Sequence, residues 1–378
     1  MRIKCHPHHP KRGIALVMVM VVILAFGVLA ASYAFSMKVE MRLAANTTRD
    51  PDMEWLGRSG IELARFVLAE KMKIPVEGQF DALSQMWAGG PLGTNEVLLA
   101  VSLTDVRLGD GLINVRIRDL ERKININIAD EPLLNRTMQV MGVDPFAADV
   151  IVDSILDWVD PDLEPRLNGV DGEAYLTEPN PPFPPYLSKN GPIDHISELL
   201  LIRGIEPSLY YGVGRGSDGF GAPVGLSPAA GPGGEIGFPP AFGSQLNPGV
   251  NLATAGLKDL FTPIGGARVN VNTASEAVLS LIPGLDENLA REIVLTRRGF
   301  DGMDGTEDDF PFVRIQDLVG VPGMVPELIS ILNRYCTVRS SSFEVEIEAR
   351  LGDYRKVYVA TLIRLGSRDV LVLNFYPL

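Results

Sequence analysis

The sequence predicts an α+β fold: a long N-terminal helix and an antiparallel sheet interrupted by a large, internally duplicated all-α insertion. Three observations predict it. Residues 14–35 form one apolar run that leads into helical periodicity. Strand-like alternation occurs at residues 95–124 and again at 340–378, with helix and loop signals between. The stretch "RKININIADEPLL" at 122–134 returns in similar form as "ARVNVNTASEAVL" at 267–279.

The apolar run "IALVMVMVVILAFGVLAASYAF" holds 22 uncharged positions from Ile14 to Phe35. As a helix it extends about 33 Å at roughly 1.5 Å per residue, enough to span a bilayer. Lys11 and Arg12 precede it, so the short amino end is expected on the cytoplasmic side and the bulk outside. Three readings fit: a secretory signal with "SYA" at 32–34 as its small-x-small site, an uncleaved anchor, or a leader cut after Gly13 that leaves Ile14 as the new terminus. Beyond the run, Leu56, Gly60, Leu63 and Val67 share one helical face. Asp50-Pro51 is expected to start a second helix or kink the first, because proline is tolerated only in a first turn.

At 96–128 the period-2 pattern is broken by Gly109-Asp110-Gly111, the mark of a hairpin. Near the other end, Phe343, Val345 and Ile347 alternate with Glu344, Glu346 and Glu348, and turns at Gly352-Asp353 and Gly366-Ser367 separate three strands. Either β group alone is too small to fold well, so one sheet interrupted by an insertion is expected. Inside it, each copy of the repeat offers a capped helix, a turn with Gly142 or Gly284, a second helix, and a closing helix ending in Gly204 or Gly320. Thr273 and Glu276 have the spacing of a capping box, and in the first copy Asp130 with Pro132 is expected to serve instead. Between the copies, residues 212–249 hold 18 Gly and Pro in 38 positions and read as linker.

Charge narrows function. The net charge is −13, and four of the 34 basic residues lie in the first 13. Residues 121–206 carry 16 acidic against six basic residues, a surface that repels phosphate and suits cations or basic partners. "LSLIPGLDENLAREIVLTRR" at 279–298 looks like a helix–hairpin–helix element. Such hairpins present backbone N–H groups to nucleic-acid phosphates, and Arg297-Arg298 is the best support for that use here. No nucleic acid is expected as a partner. Three of four histidines (His6, His8, His9) and Cys5 sit in the leader, leaving His195 and Cys336, so neither histidine catalysis nor an internal disulfide is expected. No nucleophile–base pair or phosphate-cradling glycine loop appears, and the chain is expected not to be an enzyme. Asp157, Asp160, Asp162 and Glu164, followed by Asp171 and Glu173, form an oxygen-rich cluster that is not an EF-hand. "DGMDGTEDDF" offers Asp301, Asp304, Asp308 and Asp309 as a second.

A short basic leader ending in Gly13, followed at once by an apolar helix, resembles the type IV pilin and type II secretion pseudopilin signal. Met18 stands where most members carry Glu, five residues into the mature chain, and that departure is similar to the minor pseudopilin K family of type II secretion systems. "DWVDPDLEPR", the acidic "DGEAY" and "PPYLSKNGPIDHISELLLIRGI" resemble the same family. The resemblance implies cleavage between Gly13 and Ile14 by prepilin peptidase, with methylation of the new terminus. It also implies a pilin-like helix and sheet, a helix–hairpin–helix (SAM-like) insertion, and structural Ca2+ on the acidic loop. The division then reads as cleaved leader 1–13, transmembrane helix 14–35, periplasmic stem 36–75, first sheet part 95–124, and first helical module 125–210. Linker 211–255, second module 256–337 and second sheet part 340–378 follow. The expected setting is the inner membrane, with the bulk in the periplasm. Expected partners are the other minor pseudopilins, the major pseudopilin and secreted substrate, and the expected role is initiating and capping the pseudopilus tip. A membrane-anchored DNA receptor and a secreted calcium-dependent adhesion module are the alternatives.

Overall fold

One helix, α1, runs unbroken over 59 residues from Gly13 to Lys71 in the computed structural model, which describes residues 13–91, 96–172, 174–177, 185–212 and 254–378. Residues 1–12 of the expected leader and 213–253 of the expected linker lie outside the described residues. The apolar half of α1 is exposed on all sides and is long and apolar enough to cross a membrane. The break expected at Pro51 does not occur. Proline removes one backbone bond, to the carbonyl four residues earlier, but Pro51 and Thr47 are both exposed and water can solvate that carbonyl. Beside it, Asp50 accepts hydrogen bonds from the Tyr354 hydroxyl and Lys356 Nζ, both at 3.1 Å, which hold this turn in place.

Past Pro51, the stripe Met53, Leu56, Ile61, Ala64, Val67 and Leu68 is buried against a five-stranded antiparallel sheet. Its strands are β1 (Val106–Leu108), β2 (Gly111–Asp119), β3 (Ser342–Leu351), β4 (Tyr354–Arg364) and β5 (Val370–Pro377), in that spatial order. The central pair β2–β3 runs from Gly111 opposite Leu351 to Asp119 opposite Phe343, so the sheet closes across the intervening residues 120–341. Ile113, Val115, Ile117, Val345 and Ile347 face the helix, as the period-2 pattern requires. On the outer face Arg118 meets Glu346 at 3.0 Å and Glu344 at 3.4 Å. Helix and sheet approach so closely that a Cβ on Gly57 would sit 2.8 Å from the Tyr358 ring, and one on Gly60 would sit 2.6 Å from Ile347 Cγ2.

The insertion has its own core, separate from the helix–sheet core. Its main helices are α2 (Glu131–Val140), α3 (Pro145–Val159), α4 (Glu287–Arg297) and α5 (Leu328–Tyr335). Asp130 caps α2 by accepting from the Leu133 N–H, with Pro132 in the first turn as expected. The capping box expected at Thr273 is not formed. Ser275 caps the short helix Glu276–Leu279, and the Thr273 hydroxyl donates instead to Asp119. His195 is structural, its ring capping the turn Ile196–Leu201 with Glu198 closing the box.

The Asn-x-Asn steps do the same thing twice. Asn125 Oδ1 accepts from the Asn127 N–H, and Asn270 Oδ1 accepts from the Asn272 N–H, each at 3.0 Å. The second asparagine of each step then pairs with both backbone groups of one distant residue: Asn127 with Ile193 (2.7 and 2.9 Å) and Asn272 with Phe312 (2.9 Å twice). A carboxamide supplies donor and acceptor at once and so substitutes for a strand partner. Each bond nets only about 1 kcal/mol, but a buried backbone group left bare costs about 1–3 kcal/mol, so the residue type is demanding.

The insertion meets the helix–sheet unit through a buried polar knot. Asp81, fully buried, lies between Lys71 at the end of α1 and Arg364 at the end of β4, and also accepts from the Ser340 N–H at 2.8 Å. Asn270 of the insertion donates to the Asp81 carbonyl (3.0 Å), to Asp119 Oδ2 (3.2 Å) and to Ser340 Oγ (2.8 Å). Asp50 and Leu56 contact the turn end of the sheet, whereas Asp119, Phe343 and the exit points of the insertion lie beside Lys71. The insertion therefore departs from the end of the sheet opposite the apolar half of α1.

Two outcomes follow from this packing. Gly60→Val is expected to destabilise the protein by about 1–3 kcal/mol in denaturant titration, because Ile347 is itself wholly buried and cannot yield. Burial, then the Glu121 charge, pushes the Asp119 carboxyl up to about 7. A carboxyl raised in the folded state contributes most below its unfolded value, near pH 4, and that contribution is lost as pH climbs to 7. Unfolding free energy is thus expected to fall between pH 4 and 7, and Asp119→Asn to flatten that slope.

Candidate metal centre

α3 ends at Val159, and the chain enters the acidic loop with Asp160 as the helix C-cap. Three carboxylates converge there: one oxygen from each of Asp160, Asp162 and Asp171 lies within 4.8 Å of the others. The loop is braced from the opposite strand of chain. Asp171 Oδ1 accepts from the Ser188 hydroxyl (2.8 Å) and the Gly172 N–H (2.6 Å), and Asn190 Nδ2 donates to the Asp162 carbonyl at 2.5 Å. Gly191 N–H closes onto the Trp158 carbonyl at 3.1 Å. Ser188 and Asn190 were not singled out in the sequence, where they stand only within the stretch that carries the family resemblance, because the role of Asn190 depends on a contact 28 residues away.

The chemistry of the cluster is that of an incomplete shell. Asp160 Oδ1 and Asp171 Oδ2 are buried and have no hydrogen-bond partner among the described residues. Burial first, and then the Asp162 charge, raise the Asp160 carboxyl, with Arg166 opposing from 3.9 Å. Leaving such oxygens bare is costly unless a cation takes them. The donor set is all oxygen, with no imidazole or thiolate, which selects a hard cation over zinc.

Other expected ligands are elsewhere. Asp157 is fully buried and turned away: both its oxygens accept from the Arg166 N–H (3.2 and 3.1 Å), and the guanidinium lies 3.4 Å from Oδ1. Burial, partly offset by that N–H, pushes its carboxyl up to about 6. Glu164 is exposed and meets the cluster only through its backbone N–H on Asp162 (2.9 Å). Glu173 lies outside the described residues.

The second acidic loop is organised differently from the expectation. Burial alone would raise the Asp304 carboxyl, but Arg297 (3.1 Å) and Arg298 (2.9 Å) outweigh it and hold it below the usual carboxylate range. Asp308 accepts from the Phe300 and Asp301 N–H groups, and Asp301 from the Met303 N–H, so the loop's own backbone uses these acids. Asp301, Asp304 and Asp308 are therefore not brought together as one cation shell.

The hairpin before α4 also bears on the nucleic-acid alternative. The amino end of α4, where a phosphate would sit, is capped by the Asp286 carboxylate on the Leu289 N–H at 2.7 Å, with Glu287 in the first turn. A negative charge already holds that position.

Comparison with known proteins agrees with this architecture. A family profile described as "Type II secretion system (T2SS), protein K" matches residues 114–213, and one described as a helix-hairpin-helix motif matches residues 265–337. Type II secretion system protein K of Klebsiella pneumoniae is 27% identical over 205 residues, covering 54% of this chain and 61% of that protein. The chain thus spans about six tenths of that relative's length. Protein K of Pseudomonas aeruginosa is 24% identical across 95% of this chain and 93% of its own. A chain in the crystal structure of the GspK-GspI-GspJ complex from enterotoxigenic Escherichia coli superposes with a TM-score of 0.59 at 17% identity, over 88% of this chain and 98% of that one. This last likeness speaks for the fold, while the profile and the relatives carry the assignment. Together the profile and the relatives support the type II secretion system protein K family for this chain.

Proposed function

We propose that the protein is a minor pseudopilin that initiates and caps the type II secretion pseudopilus, joining other minor pseudopilins above the major pseudopilin. The observation that carries this reading is the placement of the insertion at the end of the sheet away from the membrane-spanning segment. A subunit of this kind enters a filament by stacking its α1 stem beside those of its neighbours. Some 220 residues of extra chain at the far end of the stem would obstruct the next subunit. The absent Glu fits the same position: a carboxylate in hydrocarbon needs a partner, and a terminal subunit has none above it. The resemblance between the two Asn-x-Asn modules is read as an internal duplication, which supplied that bulk by repeating a unit already able to pack.

Two further steps belong to the proposal. Prepilin peptidase in the inner membrane is expected to cut between Gly13 and Ile14. Intact mass and amino-terminal sequencing of protein from native membranes should then give a methylated start at Ile14. A start at Met1 would favour an uncleaved anchor, and one after residue 34 a secreted protein. With the assembly overproduced, cells lacking this subunit should make pseudopili of altered number and length; unchanged filaments would remove the initiating and capping role.

Calcium is proposed for the acidic loop, held by Asp160, Asp162 and Asp171 with backbone carbonyls and water completing the shell. Its chemistry is structural, cancelling the repulsion of three converged carboxylates and fixing the 160–191 segment onto α3. At a hundredfold excess over its Kd, a bound ion adds about 2.7 kcal/mol, roughly 5–10 °C in melting temperature for a domain of this size. Calorimetry should show that fall on adding chelator, with calcium but not magnesium restoring it, and Asp160→Asn with Asp171→Asn should abolish the response. An unchanged melting temperature would reject the site.

A further inference from the structure

Between the outer face of the sheet and the insertion lies a cleft of about 1060 Å³. Arg122 and Lys123 project into it from the segment where β2 hands over to the insertion. Five basic side chains line the cleft, Arg116, Arg118, Arg122, Lys123 and Lys258, beside five acidic ones. The acids around it are committed elsewhere. Glu344 pairs with Arg118 at 3.4 Å, Asp194 with Lys189 at 2.6 Å, and Asp304 with Arg297 and Arg298. Asp259 accepts from the Gly256 N–H at the start of its own short helix. Asp119 belongs to the buried knot.

Arg122 is left over. Among the described residues no carboxylate lies within ion-pair distance of its guanidinium, and Lys123 Nζ reaches only a backbone carbonyl, that of Lys258, at 2.8 Å. Burial lowers both groups from their ordinary values, Lys123 to about 8, and the Arg122 charge lowers Lys123 further. Asp119 and Glu344 oppose the lowering of Arg122 from beyond ion-pair distance, as Asp259 and Glu344 do for Lys123. A half-buried cation with no direct ion pair still costs stability that an arriving anion would recover.

We propose that this cleft docks an acidic, extended segment of a partner protein, with one carboxylate taken in a two-point grip by Arg122 and the charge completed by Lys123. The planar fork of arginine suits a carboxylate. A single small anion would leave most of the cleft unfilled. A nucleic acid would bring a charge with every nucleotide against a surface that is otherwise acidic, whereas a peptide can carry its carboxylates only where the two cations lie. This holds whatever apparatus the protein serves.

The test uses the full chain in detergent and a rhodamine-labelled hexapeptide of alternating Glu and Gly, followed by fluorescence anisotropy. The Glu peptide should bind and its Gln counterpart should not. Arg122→Gln should weaken binding by about tenfold or more, while Arg136→Gln, the same charge change on the exposed face of α2, should leave it within about twofold. Without peptide, Arg122→Gln should melt higher than the parent, because an uncompensated buried charge has been removed. Failure of the Glu peptide to bind, equal loss in both variants, or a lower melting temperature for Arg122→Gln would overturn the proposal. So would tighter binding of a short oligothymidine or full displacement by inorganic phosphate, which would mark a general anion site.

Discussion

The placement of every other part depends on Asp81. One carboxylate, wholly buried, sits between the ammonium of Lys71 and the guanidinium of Arg364, and so ties the last turn of the stem helix to the end of β4. Burial acts to raise its carboxyl, and the two cations outweigh that and hold it below the usual range. Its backbone reaches Asn270 of the insertion and Val338 of the returning chain. A buried pair adds little over a well-packed apolar contact, but removing one member strands the others, at about 3–5 kcal/mol. The knot thus serves register more than stability: it admits one arrangement of stem, sheet and insertion.

Buried charge is handled in three ways along the chain. In the knot, opposite charges compensate one another within the fold. On the acidic loop, three carboxylates of like sign converge with only a distant guanidinium, the arrangement for which a cation is proposed. In the cleft the sign is reversed and the missing component is an anion. The overall acidity conceals this division, because a net charge sums over places whose requirements are opposite.

Much of the architecture was legible in the sequence, for identifiable reasons. Period-2 alternation with Gly109-Asp110 and Gly352-Asp353 located the four strands of two hairpins and the interrupted sheet, since register is fixed by which side chains face the core. The apolar run and the Leu56–Val67 face likewise gave α1. What the sequence did not reveal depended on distant partners. Pro51 sits within a helix because Tyr354 and Lys356 hold the neighbouring turn. Thr273 left its capping role because Asp119, some 154 positions away, offered a buried acceptor. Asp157 and Asp304 looked like ligands by spacing, but arginines claimed them in the fold. Asp160, Asp162 and Asp171 remained together, with Arg166 reaching only Asp160 and only from 3.9 Å.

The interrupted sheet has a consequence for the order in which the protein is made. β2 is synthesised more than 220 residues before β3, its central partner, and α1 finds most of its apolar cover on β3 and β4. The insertion, with a core of its own, can mature while the sheet waits. A chain interrupted anywhere before residue 342 therefore leaves Met53, Leu56, Ala64 and Val67 uncovered and Asp81 without Arg364. Such a chain is conspicuous to quality-control proteases and unfit for assembly. Splitting one sheet between two distant segments makes completion of synthesis a precondition for a usable subunit.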